Sequence, residues 1–215
     1  MTSKPRRGRP PADLSPASLT NILSAALDVF AAYGFDGTSV AALNRELGVS
    51  HNLIHQRFGS KEGLWVATVD WAFGEIDKRM TLDAQLAATD LLGAVRETIV
   101  RFLCLHASHP QVLRLVSVEA ATDSPRLAYL VQTHVEPLYN RLTGPLKILV
   151  DRGVLTTADI RSLHFLVAHG GTAPFSLVPF AIKLDPLDPL APQAIRAHAE
   201  FVADMAVAGL RARGA

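Results

Sequence analysis

Six side chains between residues 51 and 57 have types that suit contacts with the edges of DNA bases: His51, Asn52, Leu53, His55, Gln56 and Arg57. Asparagine and glutamine can bond adenine through two hydrogen bonds, arginine can read guanine or grip a phosphate, and an exposed leucine can meet a thymine methyl group. We expect all six to face outward, because Ile54 and Phe58 form the apolar side of the same short segment. Taken singly, each polar residue could equally belong to an ordinary solvated surface. The helices predicted around this segment therefore determine whether DNA contacts or a solvated surface explains these residues.

Glycines and hydroxyl residues divide the surrounding sequence into short helices. Helices are predicted over residues 15–34, 37–48 and 50–58, with a fourth and longer one beginning near Lys61. Thr38 or Ser39 can cap the second helix and Ser50 the third, and the free amides at these helix starts could also hold DNA phosphates. Capping alone would explain these residues equally well. Two short helices joined by a tight turn that contains glycine are typical of a helix-turn-helix, whose second helix enters the major groove.

A short basic segment precedes the first helix. Residues 1–61 contain seven Lys and Arg against four Asp and Glu, and four of those cations are Lys4, Arg6, Arg7 and Arg9. Residues 1–14 are also rich in proline and poor in large apolar side chains, so we expect a flexible arm. Arg6, Arg7 and Arg9 are predicted to neutralise DNA phosphates.

The remaining sequence, residues 61–215, shows helical periodicity and no alternating strand pattern, so the fold is predicted to be all-α. Breaks near 83–90, 109–110, 123–125, 152–153 and 185–192 delimit about five further helices. Pro137, Pro145, Pro174 and Pro179 lie within helical patterns and should bend or split their helices, because proline removes a backbone hydrogen bond.

Over about residues 16–65, the order of motifs resembles the TetR family of transcriptional regulators. The motifs are the basic arm, Gly34-Phe-Asp-Gly-Thr-Ser-Val40, Gly48-Val-Ser50 and Phe58-Gly-Ser-Lys-Glu-Gly-Leu64. The resemblance implies a three-helix DNA-binding head and a regulatory domain of about six helices, which gives an arm at 1–14, a head at 15–60 and a regulatory domain at 61–215. It also implies a phosphate contact for Lys61. His55 stands where the family usually has an aromatic residue, and Gly63 where an acidic residue is common.

The resemblance further implies a homodimer formed through the last two helices, near 157–183 and 193–212. Both segments are rich in small residues that permit close helix approach, namely Ala168, Gly170, Gly171, Ala173, Ala197, Ala203, Ala206 and Ala208. Close packing within one protomer is the alternative explanation.

Aromatic and polar residues of the regulatory half could line a cavity for a small apolar or amphipathic effector. The candidates are Trp71, Phe102, His106, Glu119, Tyr129, His134, Phe165 and His169. The alternative is a packed core with hydrogen-bonded histidines. His106 with His109 and His164 with His169 lack a third ligand at suitable spacing, so no metal site is expected.

Composition and motifs exclude several other classes of protein. Cys104 is the single cysteine, so no intramolecular disulfide is possible, and no signal peptide or membrane span is expected. No catalytic constellation or cofactor motif is present.

We therefore expect a cytoplasmic, non-enzymatic homodimer that represses transcription at a palindromic double-stranded operator until an unidentified ligand releases it. The alternatives are an activator or ligand-independent regulator with the same head, or a helical carrier or enzyme.

Overall fold

The computed structural model describes residues 16–48, 53–81 and 83–214, which are helical without any strand in these ranges. The chain divides into one compact unit that ends at Thr68 and a second that begins at Val69. This division falls inside one helix, Lys61–Asp77, whereas the sequence placed the domain boundary at its start.

The first unit, called the head below, consists of very short helices after a longer first one. They are α1 (Pro16–Tyr33), α2 (Val40–Glu46), α3 (Leu53–Phe58) and the beginning of α4 (Lys61–Asp77). Gly34 and Gly48 follow α1 and α2 with φ angles of 69° and 61°, in the left-handed region that favours glycine. The predicted helix ends at these glycines and the predicted start of α4 at Lys61 are confirmed.

The head has an apolar core to which all four helices contribute. Its buried side chains are Leu23, Ala26, Leu27, Phe30, Leu43, Leu53, Ile54, Leu64 and Trp65. Trp65 and Thr68 are both fully buried, so the first two turns of α4 belong to this core. This explains why the boundary between the units lies within α4.

In its described residues, the second unit contains ten α-helical segments after α4, rather than about five. They are α5 (Ala84–Thr89), α6 (Leu91–Ala107), α7 (Pro110–Glu119), α8 (Pro125–Leu130), α9 (Glu136–Thr143), α10 (Lys147–Asp151), α11 (Thr157–Phe165), α12 (Ala173–Ser176), α13 (Val178–Leu184) and α14 (Pro192–Ala212). The predicted break at 83–90 is itself a short helix. Asp83 caps α5 by accepting from the amides of Gln85 and Leu86, and Asp90 caps α6 by accepting from that of Gly93.

The prolines account for most of the extra segmentation, as the sequence predicts. Pro137 follows a π-helical turn over Val131–Val135, and Pro145 lies in the 3-10 turn Gly144–Leu146. Pro174 lies in α12, shortly after a second π-helical turn over Leu166–Gly170, and Pro179 lies at the start of α13.

Helices α6 and α14 pack closely along their lengths. The face of α14 that points into the unit consists of Ala199, Ala203, Ala206, Val207 and Leu210. Arg96 of α6 bonds Asp204 of α14, with 2.6 Å between Nε and Oδ1. A Cβ atom on Gly171 would lie 3.3 Å from Cγ1 of Val202, so this glycine permits close packing within the protomer. Ala203, Ala206 and Gly171 thus fit the alternative of packing within one protomer.

No single helix in the described ranges is long and apolar enough to cross a membrane. The segments Thr157–Ser176 and Val178–Leu184 meet the length and composition requirement only as a pair, and they are bent by 79°.

Two glycines of α4 provide a test of the head's packing. A Cβ atom on Gly63 would lie 2.0 Å from the carbonyl oxygen of Phe58, whereas one on Gly74 would meet nothing within 4 Å. Gly63→Ala should therefore lower the free energy of unfolding by about 1–3 kcal/mol, because backbone must shift to relieve the overlap. Gly74→Ala should raise it by up to about 1 kcal/mol. Denaturant unfolding of both variants checks this, and equal effects would contradict the described approach of α3 and α4.

Candidate DNA-reading helix and ligand cavity

Helix α3 presents three consecutive polar side chains to solvent. His55, Gln56 and Arg57 are exposed, whereas Ile54 is fully buried. The ring Nδ1 of His55 lies 3.1 Å from the carbonyl oxygen of Gly59, to which it can donate at the end of the helix. Hydrogen-bonding groups of the types that read base edges thus lie together on one short, outward-facing helix.

Leu53 does not belong to this exposed surface, and its predicted contact with a thymine methyl group is wrong for this structure. Its side chain is 5% exposed. Adjacent helical positions are separated by about 100°, and a core-facing stripe is commonly at least that wide, so Leu53 and Ile54 both fit within it. Leu53 therefore contributes to the core of the head.

Thr38 is likewise a structural residue rather than a phosphate ligand. It is 3% exposed, and its hydroxyl donates to the carbonyl oxygen of Gly34 at 2.7 Å. Ser39 is the N-cap of α2 and accepts from the amide of Ala42 at 3.1 Å while remaining exposed. The prediction that one of these two residues caps the helix is met by Ser39, and only Ser39 remains accessible.

Lys61 fastens the start of α4 to the loop between α1 and α2. Its Nζ donates to the carbonyl oxygens of Phe35 and Thr38 at 2.9 and 2.8 Å. It also lies 4.0 Å from the centre of the Phe35 ring, within range of a cation–π interaction. Two of its three N–H groups are thus used within the head. A phosphate contact through the third stays a prediction.

Six residues of the predicted DNA surface lie outside the described residues: Arg6, Arg7, Arg9, Ser50, His51 and Asn52.

The second unit contains a cavity of about 310 Å³. Its walls come from α4, through Phe73, and from α6, α7, α9, α11 and α12, together with both π-helical turns. Such turns occur frequently at functional sites. Most lining residues are aliphatic or aromatic. The polar ones are Thr98, His106, Ser117, Tyr139, Thr143, His164, His169, Thr172 and Ser176. A mainly apolar concavity with a few polar groups is typical of a small-molecule site.

Three of the eight predicted cavity residues line this cavity: Phe102, His106 and His169. Phe102 and His106 lie one turn apart on α6, and their ring centres are 3.9 Å apart. Burial lowers the pKa of His106 to about 4, so its imidazole is neutral near pH 7. Burial also lowers the pKa of His164, with a smaller contribution from the nearby His169.

The other five predicted cavity residues do not line it, and most have partners elsewhere in the second unit. Glu119 accepts a hydrogen bond from Arg126 at 3.2 Å. The hydroxyl of Tyr129 donates to Oδ1 of Asp70 at 2.7 Å, and Nε2 of His134 lies 2.9 Å from the same oxygen. Phe165 is 57% exposed, and Trp71 is half-buried away from the cavity.

Sequence reasoning missed the hydroxyl residues of the cavity wall. Thr98 lies one turn before Phe102 and two turns before His106, so the three share a face of α6. This spacing could have identified Thr98 as a cavity residue from the sequence. Ser117, Thr143 and the pair Thr172 and Ser176 come from three separate segments, and nothing local in the sequence brings these segments together.

The head is a helix-turn-helix with an exposed second helix, and the larger unit that follows is all-helical and contains a cavity. This combination defines a class of DNA-binding transcriptional regulators. Two family descriptions match this chain: "Bacterial regulatory proteins, tetR family" over residues 22–68, and "Tetracyclin repressor-like, C-terminal domain" over residues 92–206. The chain belongs to the TetR family of transcriptional regulators.

Individual relatives agree with this assignment. The HTH-type transcriptional regulator RutR of Escherichia coli (strain K12) is 33% identical over 164 residues, which cover 68% of each chain. The HTH-type transcriptional repressor AcnR of Corynebacterium jeikeium is 35% identical over 79 residues, covering 36% of this chain and 38% of AcnR.

Solved structures of the same fold have lower sequence identity. The transcriptional regulator FadR from Bacillus subtilis, solved in complex with stearoyl-CoA, has a TM-score of 0.61 and 17% identity, covering 89% of this chain and 98% of FadR. The TetR family regulator PfmR from Thermus thermophilus has a TM-score of 0.58 and 20% identity, covering 86% of this chain and 93% of PfmR. At these identities the likeness concerns the fold alone.

Replacing Lys61 tests its role in the head. Lys61→Met should lower the free energy of unfolding by about 1–3 kcal/mol, because two carbonyl groups lose a charged donor. The control is Lys78→Met, since Lys78 has a side chain that is 72% exposed and pairs only at the surface with Glu75, so its loss should cost under about 0.5 kcal/mol. Denaturant unfolding compares the two, and a Lys61→Met variant as stable as the control would contradict this structural role.

Proposed function

We propose that this TetR-family protein is a homodimeric repressor that binds a palindromic operator and is released by a small molecule bound in the cavity. The observation that carries the DNA-binding part is the exposed set His55, Gln56 and Arg57 on α3. A repressing role is supported by the relative AcnR, whose name describes a transcriptional repressor. We place the protein in the cytoplasm, where its operator would be found.

In this proposal α3 lies in the major groove, with Gln56 and Arg57 at base edges. His55, Asn52 and His51 complete the reading surface, Ser39 and Ser50 lie near phosphates, and Arg6, Arg7 and Arg9 neutralise the DNA backbone. A two-fold dimer places two such helices one helical turn of DNA apart, so the operator should be a pseudo-palindrome.

Exposed apolar side chains on the last helices support the proposed dimer. They are Phe165, Leu166, Phe180, Ile182, Phe201 and Met205. Phe201 and Met205 lie one turn apart, on the side of α14 opposite the face that packs within the protomer. Exposed apolar side chains that follow one another along a helix, as Phe201 and Met205 do, are typical of protein interfaces. Two copies of α11 to α14 would bury it in a helical bundle.

Polar contacts of α4 suggest how ligand binding is transmitted. Asp70 of α4 bonds Tyr129 and His134, and Asp77 of α4 bonds Arg141 of α9. The segment over 135–143, which follows His134, supplies Val135, Leu138, Tyr139, Leu142 and Thr143 to the cavity wall. A ligand that favours one position of this wall would shift α4, whose first turns belong to the head. A coupling of about 1–3 kcal/mol is typical for such control.

Selection of bound DNA from genomic fragments tests the proposal as a whole. A repressor should enrich one palindrome and block transcription from a promoter that contains it. Enrichment without repression would favour an activator, and loss of sequence preference would favour a carrier and contradict the proposal.

The reading face is tested by Arg57→Ala, measured as operator affinity in a binding titration. The loss of a base-edge contact should weaken specific binding by about 1–3 kcal/mol and leave binding to unrelated DNA less affected. Arg211→Ala is the matched control, because it removes the same charge from an exposed position in the last turn of α14. If the two variants bound the operator equally well, α3 would not be the recognition helix.

The proposed dimer is tested by Phe201→Glu, which places a charge at a position that is 64% exposed in the protomer. Burial of that charge in an interface is unfavourable, so sedimentation should show a shift from dimer to monomer. Tyr33→Glu is the control, since Tyr33 is 68% exposed in the head and should leave the dimer intact. A Phe201→Glu variant that remains dimeric would place the interface elsewhere.

A further inference from the structure

The lining of the cavity contains no lysine, arginine, aspartate or glutamate among the described residues. Its titratable groups are Tyr139 and three histidines, His106, His164 and His169. Burial of an ion is strongly unfavourable unless an opposite charge and hydrogen bonds compensate it. The cavity therefore offers no fixed charge to a carboxylate or a phosphate.

The serine and threonine hydroxyl groups of the wall have already donated their hydrogens to backbone carbonyls. Thr98 donates to Ala94, Ser117 to Leu113 and Thr143 to Tyr139, each at 2.8 Å. The remaining two, in α12 and just before it, form the same kind of bond: Thr172 to Ala168 at 2.6 Å and Ser176 to Ala173 at 3.3 Å. Each hydroxyl oxygen keeps acceptor capacity toward a ligand, because a hydroxyl has one donor and two acceptor sites.

His106 likewise presents a hydrogen-bond acceptor to the cavity. Its Nδ1 lies 2.8 Å from the carbonyl oxygen of Phe102, and since a carbonyl can only accept, the ring proton must be on Nδ1. With the imidazole held neutral by burial, Nε2 carries a lone pair and is an acceptor. The residue is 5% exposed and lines the cavity, and no other described residue bonds its ring. Nε2 is therefore an acceptor at the cavity wall with no hydrogen-bond partner among the described residues.

We propose that the cavity binds a neutral, mainly apolar molecule with at least one N–H or O–H group, which donates to Nε2 of His106, and that it selects against carboxylates and phosphates. This inference rests on the proposed ligand control and narrows the chemical class of the ligand. The aliphatic and aromatic wall takes up the apolar body, and the acceptors of the wall orient the donor.

Three compounds that share one apolar body test the proposal on the full-length protein. They are 4-butylphenol, which is neutral with a donor, 4-butylanisole, which is neutral without one, and 4-butylbenzoate, which is an anion. Calorimetric titration should give the phenol a Kd at least tenfold below those of the other two. A benzoate that binds as tightly as the phenol would overturn the selection against anions, and an anisole equal to the phenol would overturn the role of the donor. Absence of binding by all three would also count against the proposal.

A matched pair of histidine variants assigns the effect to one atom. His106→Phe keeps an aromatic ring and removes Nε2, so the preference for the phenol over the anisole should fall to within about twofold. His109 also bonds a carbonyl four residues earlier, that of Leu105 at 3.1 Å, but does not line the cavity. His109→Phe should therefore keep the preference, and equal behaviour of both variants would contradict the assignment.

A measurement on the unmodified protein covers the case in which His106→Phe does not fold. With ¹⁵N-labelled histidine, addition of the phenol should shift the Nε2 resonance of one neutral imidazole in the direction expected for an accepted hydrogen bond, and the anisole should not. No change with the phenol would overturn the proposal.

The ligand class and the proposed ligand control fail in different ways. If the phenol binds with the expected preference but leaves operator affinity unchanged, the ligand class stands and the proposed release from DNA is wrong. If operator affinity responds to the benzoate rather than the phenol, ligand control stands and the ligand class is wrong.

Discussion

The stability of the head is limited by the short length of its two central helices. Neither α2 nor the described part of α3 is long enough to be stable alone. Helix α2 contains seven residues and the described part of α3 contains six, well below the roughly 12–15 that an isolated helix needs in water. Their stability must come from satisfied helix ends and from packing. Ser39 caps α2, and Lys61 donates hydrogen bonds to two carbonyl oxygens of the loop before that helix. With Leu53, Ile54 and Leu64 filling the core, the outer side of α3 is free for polar side chains.

In the second unit, breaks within helices lie at the wall of the cavity. Pro137 and Pro174 cannot donate to the preceding turn, and each stands a few residues after a π-helical turn. Both turns contribute residues to the cavity wall. Residues of α6 line the same cavity as both interrupted segments, so the breaks lie at its wall.

The sequence predicted the helix ends and the family, because caps, glycines and prolines act locally. It placed Leu53 on the wrong side, since periodicity over six residues defines a stripe poorly when the stripe is more than one residue wide. It assigned Tyr129, His134 and Glu119 to a ligand, whereas the structure pairs them with Asp70 and Arg126. Such pairs join segments up to 64 residues apart, and only the tertiary fold brings them together.

The two sides of the cavity differ in how firmly they are held, and this difference favours one direction of response. Helix α6, which carries His106, packs along α14 against the small buried side chains Ala199, Ala203 and Ala206. The wall formed by Val135 and α9 continues from a π-helical turn, and α9 bonds α4 through Arg141 and Asp77, exposed groups that contribute little to stability. A ligand anchored on α6 would therefore move the α9 side more readily than its own anchor. Phe73 of α4 lines the cavity beside this segment, with its ring centre 4.9 Å from that of His134, so a ligand that moves this side would act on the helix that continues into the head.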